Sequence, residues 1–97
     1  MSDRLTLLKT AVEKYGQEAQ MKMAVEEMSE LTKAICKFWR TEEGTTERDQ
    51  AVENIIEEAA DVQIMLDQLR ILFGSTKDAE MVKLSRLRKR LTRRKEQ

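Results

Sequence analysis

Apolar residues recur along the whole chain at the spacing of an α-helix. They fall at intervals of three, four and seven positions, which places them on one face of a helix, and no segment shows the sustained alternation of a strand. The pattern therefore predicts an all-α protein. The four apolar stripes are Leu5, Leu8, Val12 and Tyr15; Met21, Val25, Met28, Leu31, Ile35 and Phe38; Ala51, Ile55, Ala59, Val62, Leu66, Leu69 and Phe73; and Met81, Leu84, Leu87 and Leu91.

Three isolated glycines mark the expected helix ends. Gly16, Gly44 and Gly74 divide the proline-free chain into segments 1–15, 17–43, 45–73 and 75–97. Glycine is favoured just beyond the end of a helix because it adopts positive φ without strain. We therefore predict one domain over 1–97 with four helices, of which the two central ones are long and the flanking ones shorter. Residues 92–97 are expected to form a frayed basic tail.

The third segment carries a second apolar stripe, made of Ile56, Ala60, Ile64 and Ile71. At about 100° per residue this stripe lies roughly opposite the first. A helix that is apolar on both sides is normally covered on both sides. A short four-helix chain cannot easily supply both layers, so we predict a homo-oligomer, most simply with a second copy of the chain.

Composition excludes several classes of chemistry. The chain has 97 residues, 40% of them hydrophobic and 37% charged, with no histidine and one cysteine, Cys36. Without histidine, Ser-His triads and Cys/His zinc sites cannot form. A single cysteine, no apolar run of membrane-spanning length and no apolar segment near the N-terminus together predict a cytoplasmic protein without a membrane partner.

The net charge of zero conceals two regions of opposite sign. Residues 83–97 hold eight basic and one acidic residue, a net of +7, which leaves residues 1–82 with ten basic and 17 acidic residues, a net of −7. Such a division indicates that one region holds cations and the other holds anions.

Acidic residues also interrupt the apolar stripes of the two central segments. Glu27 and Glu30 share one face of the second segment, while Asn54, Glu58 and Asp61 form a polar stripe on the packed side of the third. Burying ionised carboxylates without compensation costs several kcal/mol or more. A divalent cation such as Mg²⁺ would compensate them; salt bridges to lysine or arginine, or a solvated face, are the alternative.

These motifs resemble those of a known family. The stretch EEMSEL at 26–31 and the stretch EEAADV at 57–62 resemble the two-part acidic signature of the MazG-like all-α nucleoside triphosphate pyrophosphohydrolases. The stretch KLSRLRKR at 83–90 resembles the basic fourth helix of the small single-domain members. The resemblance covers about residues 20–91.

The resemblance implies hydrolysis of a nucleoside triphosphate to the monophosphate and pyrophosphate, with Mg²⁺ as cofactor. It implies Glu27, Glu30, Glu58 and Asp61 as the metal ligands and catalytic acids. Glu26 and Glu57 match acidic positions of the signature too, as groups behind the ligands or as weaker candidates for activating water. It also implies a homodimer or a dimer of dimers.

Substrate binding requires cations for the phosphates and a surface for the base. Lys83, Arg86 and Arg90 form one stripe on the fourth segment, and we assign them to the phosphates. Trp39 is a candidate for stacking on a base, although a core position is favoured for it. Asn54 is a candidate for reading a base edge or orienting a metal ligand.

A non-enzymatic function is the alternative interpretation. A helical dimer could bind nucleic acid or a protein partner through its basic C-terminus, since clustered lysine and arginine attract phosphate backbones. This alternative leaves Glu58 and Asp61 unexplained, and nucleic acid is therefore the less favoured partner.

Overall fold

The structure is a computed structural model that describes the backbone of residues 3–96 and the side chains of residues 3–93. It contains the α-helices α1 (Arg4–Tyr15), α2 (Gln17–Trp39), α3 (Thr46–Phe73) and α4 (Lys77–Glu96). No strand occurs in this part of the chain. The predicted all-α class with two long central helices is confirmed. Of the tail predicted over 92–97, the side chains of 94–97 lie outside the described residues, and the described backbone continues α4 to Glu96.

Two of the glycines act as the helix boundaries that the sequence predicts. Gly16 separates α1 from α2 with φ of 88°, and Gly74 follows α3 with φ of 123°. The amide of Gly74 donates to the carbonyl of Arg70 at 2.8 Å, which closes the last turn of α3. Residues with a Cβ rarely adopt these φ values, so each glycine lets the chain turn where a helix ends.

The connection between α2 and α3 is closed by one arginine. The Arg48 guanidinium lies 4.1 Å from the centre of the Phe38 ring and donates to the carbonyl and hydroxyl oxygens of Thr41 at 2.9 and 3.0 Å. At the same turn, the Thr45 hydroxyl caps α3 by accepting from the Arg48 amide at 3.1 Å. The end of α2 is thereby held against the start of α3.

At the opposite end of the hairpin, two buried amides join the same helices. Gln20 Nε2 donates to Gln68 Oε1 at 2.7 Å, and Gln68 Nε2 contacts the Met65 sulfur at 3.6 Å. Since the start of α2 meets the end of α3 here, the two helices are antiparallel. A buried hydrogen-bonded pair also favours one register, because a shift would leave polar groups without partners.

The hydrophobic core of a single chain is thin. Helices α2 and α3 form the main contact, and α1 packs on both. The buried apolar residues are small or few: Leu8, Ala24, Ala34, Ala51 and Met65. The radius of gyration is 17.6 Å, against about 12–13 Å for a compact domain of this length. The chain is therefore far more extended than a closed bundle.

Helix α4 does not pack along any of the other described helices, and its described link to α3 is the Arg70–Glu80 ion pair at 3.8 Å. Its apolar stripe of Met81, Leu84, Leu87 and Leu91 is exposed to solvent. The second stripe of α3 is exposed as well at Ile56 and Ile64. Both apolar faces are thus uncovered within one chain. No described helix is both long enough and apolar enough to cross a membrane.

Candidate metal centre

The two acidic motifs meet in the middle of the α2–α3 hairpin. Glu58 and Asp61 share a face of α3 because they lie three residues apart, and the antiparallel packing sets Glu27 of α2 opposite them. One carboxylate oxygen from each of the three residues lies within 4.8 Å of the other two. We call this set, Glu27, Glu58 and Asp61, the acidic cluster.

The acidic cluster concentrates negative charge in a partly buried place. Glu27 and Glu58 are half-buried, while Asp61 is exposed. Desolvation raises the pKa of Glu27 above its usual range, and the Asp61, Glu58 and Glu30 carboxylates raise that pKa further. The physical cause is that an anion already removed from water meets other anions nearby. A cation bound here would relieve both costs.

One atom of the cluster lacks any hydrogen-bond partner. Glu58 Oε2 is buried, and no described donor reaches it. An unsatisfied buried carboxylate oxygen is costly, and almost all buried polar atoms in folded proteins find partners. Three carboxylates supply the hard oxygen ligands that Mg²⁺ prefers, and they leave coordination positions for water and phosphate. The residues present therefore fit a divalent cation.

Glu30, the fourth predicted ligand, lies at the edge of the site. Its carboxylate is not among the three that converge, and it pairs instead with the Lys33 ammonium at 3.5 Å. It does line a small cavity of about 110 Å³ together with Glu58. Three of the four predicted acids are thus brought together, with the fourth beside them. Glu26 and Glu57 are exposed and lie outside the acidic cluster.

Two lysines that the sequence analysis did not place at the site line the same small cavity. Lys33 and Lys37 follow Glu30 on α2 and border the cavity beside Glu58. Their intervals of three and seven residues from Glu30 were the available signal, because such intervals keep side chains on one helical face. They put positive charge within the chain's own hairpin, next to the carboxylates.

The two residues proposed to contact the base differ in their position relative to the acidic cluster. Asn54 is half-buried, lines the cavity beside Glu58, and accepts a hydrogen bond from Gln50 Nε2 at 3.3 Å. Trp39 is 73% exposed and lines neither cavity next to the acidic cluster. The core position favoured for Trp39 is therefore wrong within this chain, in which Trp39 is the last residue of α2 and is exposed.

The predicted phosphate-binding stripe is separated from the carboxylates in a single chain. Lys83, Arg86 and Arg90 are exposed on α4, which does not pack along α2 or α3 in the described part of the structure; its described link to α3 is the Arg70–Glu80 ion pair at 3.8 Å. No described ion pair joins them to the acidic cluster. These three residues would reach a carboxylate site only on another copy or after a change in the position of α4.

No protein-family model, curated protein or solved structure matches this chain. The family resemblance therefore depends on the acidic and basic motifs, and the function has to be argued from the geometry of the hairpin.

Proposed function

We propose that this protein is a Mg²⁺-dependent nucleoside triphosphate pyrophosphohydrolase of the MazG-like type, releasing a nucleoside monophosphate and pyrophosphate. The observation that carries the proposal is the buried, unpartnered Glu58 oxygen within a cluster of three carboxylates. A solvated acidic face does not account for it, because this oxygen is buried from solvent within the hairpin. The acidic signature on α2 and α3 supports the same function.

The chain's own residues would divide the work as follows. Glu27, Glu58 and Asp61 hold Mg²⁺, with Glu30 available at the edge of the site. When bound, the metal would neutralise charge on the phosphates and would lower the pKa of a water that it binds. Lys33 and Lys37 border the cavity where phosphate oxygens would lie, and their ammonium groups would stabilise the charge that develops on the departing pyrophosphate.

The assembly we propose is a homodimer or a dimer of dimers. The uncovered stripes of α3 and α4 are the apolar surfaces that a second copy would bury. The charge distribution favours a copy of the same chain, because the segment 83–97 carries +7 and the remainder −7. In such an assembly, Lys83, Arg86 and Arg90 border the α4 apolar stripe and would approach the acidic hairpin of the partner.

The exposure of α4 also favours a second candidate function. An unpacked helix with many lysines and arginines fits binding of nucleic acid or of an acidic protein partner, without catalysis. This function uses α4 alone and gives the acidic cluster no role. Affinity for nucleic acid that survives 200 mM salt, together with an absence of pyrophosphate release, would favour it.

Replacement of Glu58 tests the proposed enzyme directly. Glu58→Gln keeps the size of the side chain but removes its charge, so we expect the Kd for Mg²⁺ to rise by more than about tenfold, or about 1.4 kcal/mol. Pyrophosphate release from a nucleotide panel should fall with it, while the fold is retained. Without metal the variant should melt no lower than the parent protein, since a repelling charge is gone.

Glu53→Gln is the matched control, because Glu53 is an exposed acid on the same helix. Calorimetry should give it the parent's Mg²⁺ affinity. Equal Mg²⁺ affinity of Glu58→Gln and the parent protein would reject the metal centre, and Mg²⁺ binding without pyrophosphate release from any nucleotide would reject the activity.

A further inference from the structure

A second cavity lies beside the metal centre along the α2–α3 hairpin. It has a volume of about 430 Å³ and extends from Asn54 and Lys37 towards the connecting loop at Thr41 and Thr46. Asn54 and Lys37 also line the small cavity that contains Glu58. The two cavities therefore adjoin at these two residues.

Two of the polar side chains that line this cavity, beside Lys37, Thr41, Thr46 and Glu47, are amides joined by a hydrogen bond. Gln50 Nε2 donates to Asn54 Oδ1 at 3.3 Å. This bond leaves Gln50 Oε1 as an acceptor and Asn54 Nδ2 as a donor, and neither atom has another bond among the described residues. Adjacent donors and acceptors are what the edges of nucleobases present, and side-chain amides are well suited to pair with them.

The position of the amides along α3 matches the length of a nucleotide. Asn54 lies one turn from Glu58 and Gln50 lies two turns away, or about 6 and 12 Å along the helix axis. Phosphates held at the acidic cluster would place the sugar between Glu58 and Asn54, and the base beside the Asn54 and Gln50 amides. Ala51 lies between these turns and lines the cavity with a small, buried side chain.

The other cavities lack this relation to the carboxylates. A cavity of about 490 Å³ between α1 and α3 is bordered by Arg4 and Asp67, and another of about 590 Å³ lies along Leu84 and Leu87 of α4. Neither shares a residue with the cavity that contains Glu58. Of these three cavities, the one at Gln50 is the one that adjoins the cavity at Glu58.

We propose that the cavity beside Asn54 is the nucleoside subsite, in which the Gln50 and Asn54 amides read the hydrogen-bonding edge of the base. The inference rests on the proposed function, because it takes the phosphates to lie at the acidic cluster. It makes the substrate a nucleoside triphosphate selected by its base, and it assigns Gln50 and Asn54 as specificity-determining residues. A site with paired amides rejects bases whose groups leave those amides unsatisfied.

The test compares base selection with phosphate binding. kcat/KM is measured for a panel of nucleoside triphosphates in Mg²⁺, and inorganic tripolyphosphate is used as a competitive inhibitor that lacks a nucleoside. Gln50 is exposed, so Gln50→Ala and Gln50→Glu should both fold. We expect the ratio of kcat/KM between the preferred base and the others to fall by about tenfold or more. The inhibition constant of tripolyphosphate should not change with Gln50→Ala.

Gln63→Ala is the matched control. Gln63 lies on the same helix and donates to Asp67 Oδ1 at 3.3 Å, the same four-residue interval as the Gln50–Asn54 bond. It should keep the parent's base ratios.

Three results would overturn the inference. They are equal kcat/KM for all bases in the parent protein, unchanged base ratios in both Gln50 variants, and a parallel loss of every nucleotide and of tripolyphosphate in Gln50→Ala. Absence of hydrolysis of every nucleotide by the parent protein would instead reject the proposed function, and this inference with it.

Discussion

The α2–α3 hairpin and α4 are both amphipathic helical regions, yet only the hairpin buries its apolar side. In the hairpin, Ala24, Ala34 and Ala51 are buried and let the two backbones approach closely, and a glutamine pair sets the register. Helix α4 has an exposed stripe of leucines, and this stripe is not packed against any of the other described helices. The comparison shows that an apolar stripe predicts a helix, whereas packing requires a complementary surface, which for α4 the single chain does not provide.

The largest expected effect comes from charging the uncovered stripe of α4. Leu87→Asp should convert a dimer or tetramer into a monomer at micromolar concentration, because it would bury an unpaired carboxylate in the interface. Sedimentation velocity measures the change. Ser85→Asp adds the same charge beside the stripe and should leave the assembly intact. A parent chain that is monomeric at these concentrations would contradict the proposed oligomer.

A second prediction separates the basic stripe of α4 from the residues that follow it. Arg86→Ala should lower kcat/KM by about tenfold or more, because it removes a charge-assisted contact to a phosphate. A chain ending at Leu91 should retain nearly all activity. If α4 instead serves nucleic acid, the truncation should be the more damaging change and should act on binding. A fully active Arg86→Ala enzyme would remove that residue from the site.

The next largest effect is a loss of stability on breaking the buried pair of Gln20 and Gln68. Gln20→Leu removes one partner and leaves Gln68 Oε1 buried without a donor, which should lower the free energy of unfolding by about 1–3 kcal/mol. Replacing both glutamines by leucine should recover much of this loss, since no polar atom is then stranded. Urea denaturation of the two variants measures the difference. Equal stability of Gln20→Leu and the parent would show that the pair does not hold the hairpin.

The smallest effect is expected where α3 approaches the start of α4. Asp67 pairs with Arg4 and Arg70, and Arg70 Nε donates to Thr76 Oγ1 at 2.7 Å. These arginines lower the pKa of Asp67, mainly through the hydrogen bond from Arg4. Asp67→Asn should therefore lower the free energy of unfolding at pH 7, by less than about 1 kcal/mol because the pair is partly exposed.

The pH dependence of this effect has a definite sign. A carboxyl with a depressed pKa in the folded state stabilises the fold above its unfolded pKa of about 3.9, and this contribution disappears as the pH falls through the lower folded value. The difference in melting temperature between Asp67→Asn and the parent should thus shrink below about pH 4. A difference that stays constant from pH 7 to pH 3 would mean that the ion pairs do not contribute.

Local rules acting over a few residues explain most of what the sequence predicted. The period of the apolar positions and the glycines at 16 and 74 predict helices whose observed bounds are close to the expected ones. The intervals between Glu58, Asp61 and Asn54 place them on one face of α3 because helix geometry is the same in every context. These features depend on neighbours within one or two turns, so the sequence by itself determines them.

The tertiary structure decided what depends on the pairing of distant segments. Whether Glu27 meets Glu58, and whether Glu30 reaches the same point or pairs with Lys33, follows from the register of α2 on α3. The same register places Lys37 at the site. Trp39 and the apolar stripe of α4 are exposed within this chain, although their sequence patterns are those of covered faces. Periodicity identifies the face on which a residue lies, but what covers that face is set by the packing of residues far apart in the chain.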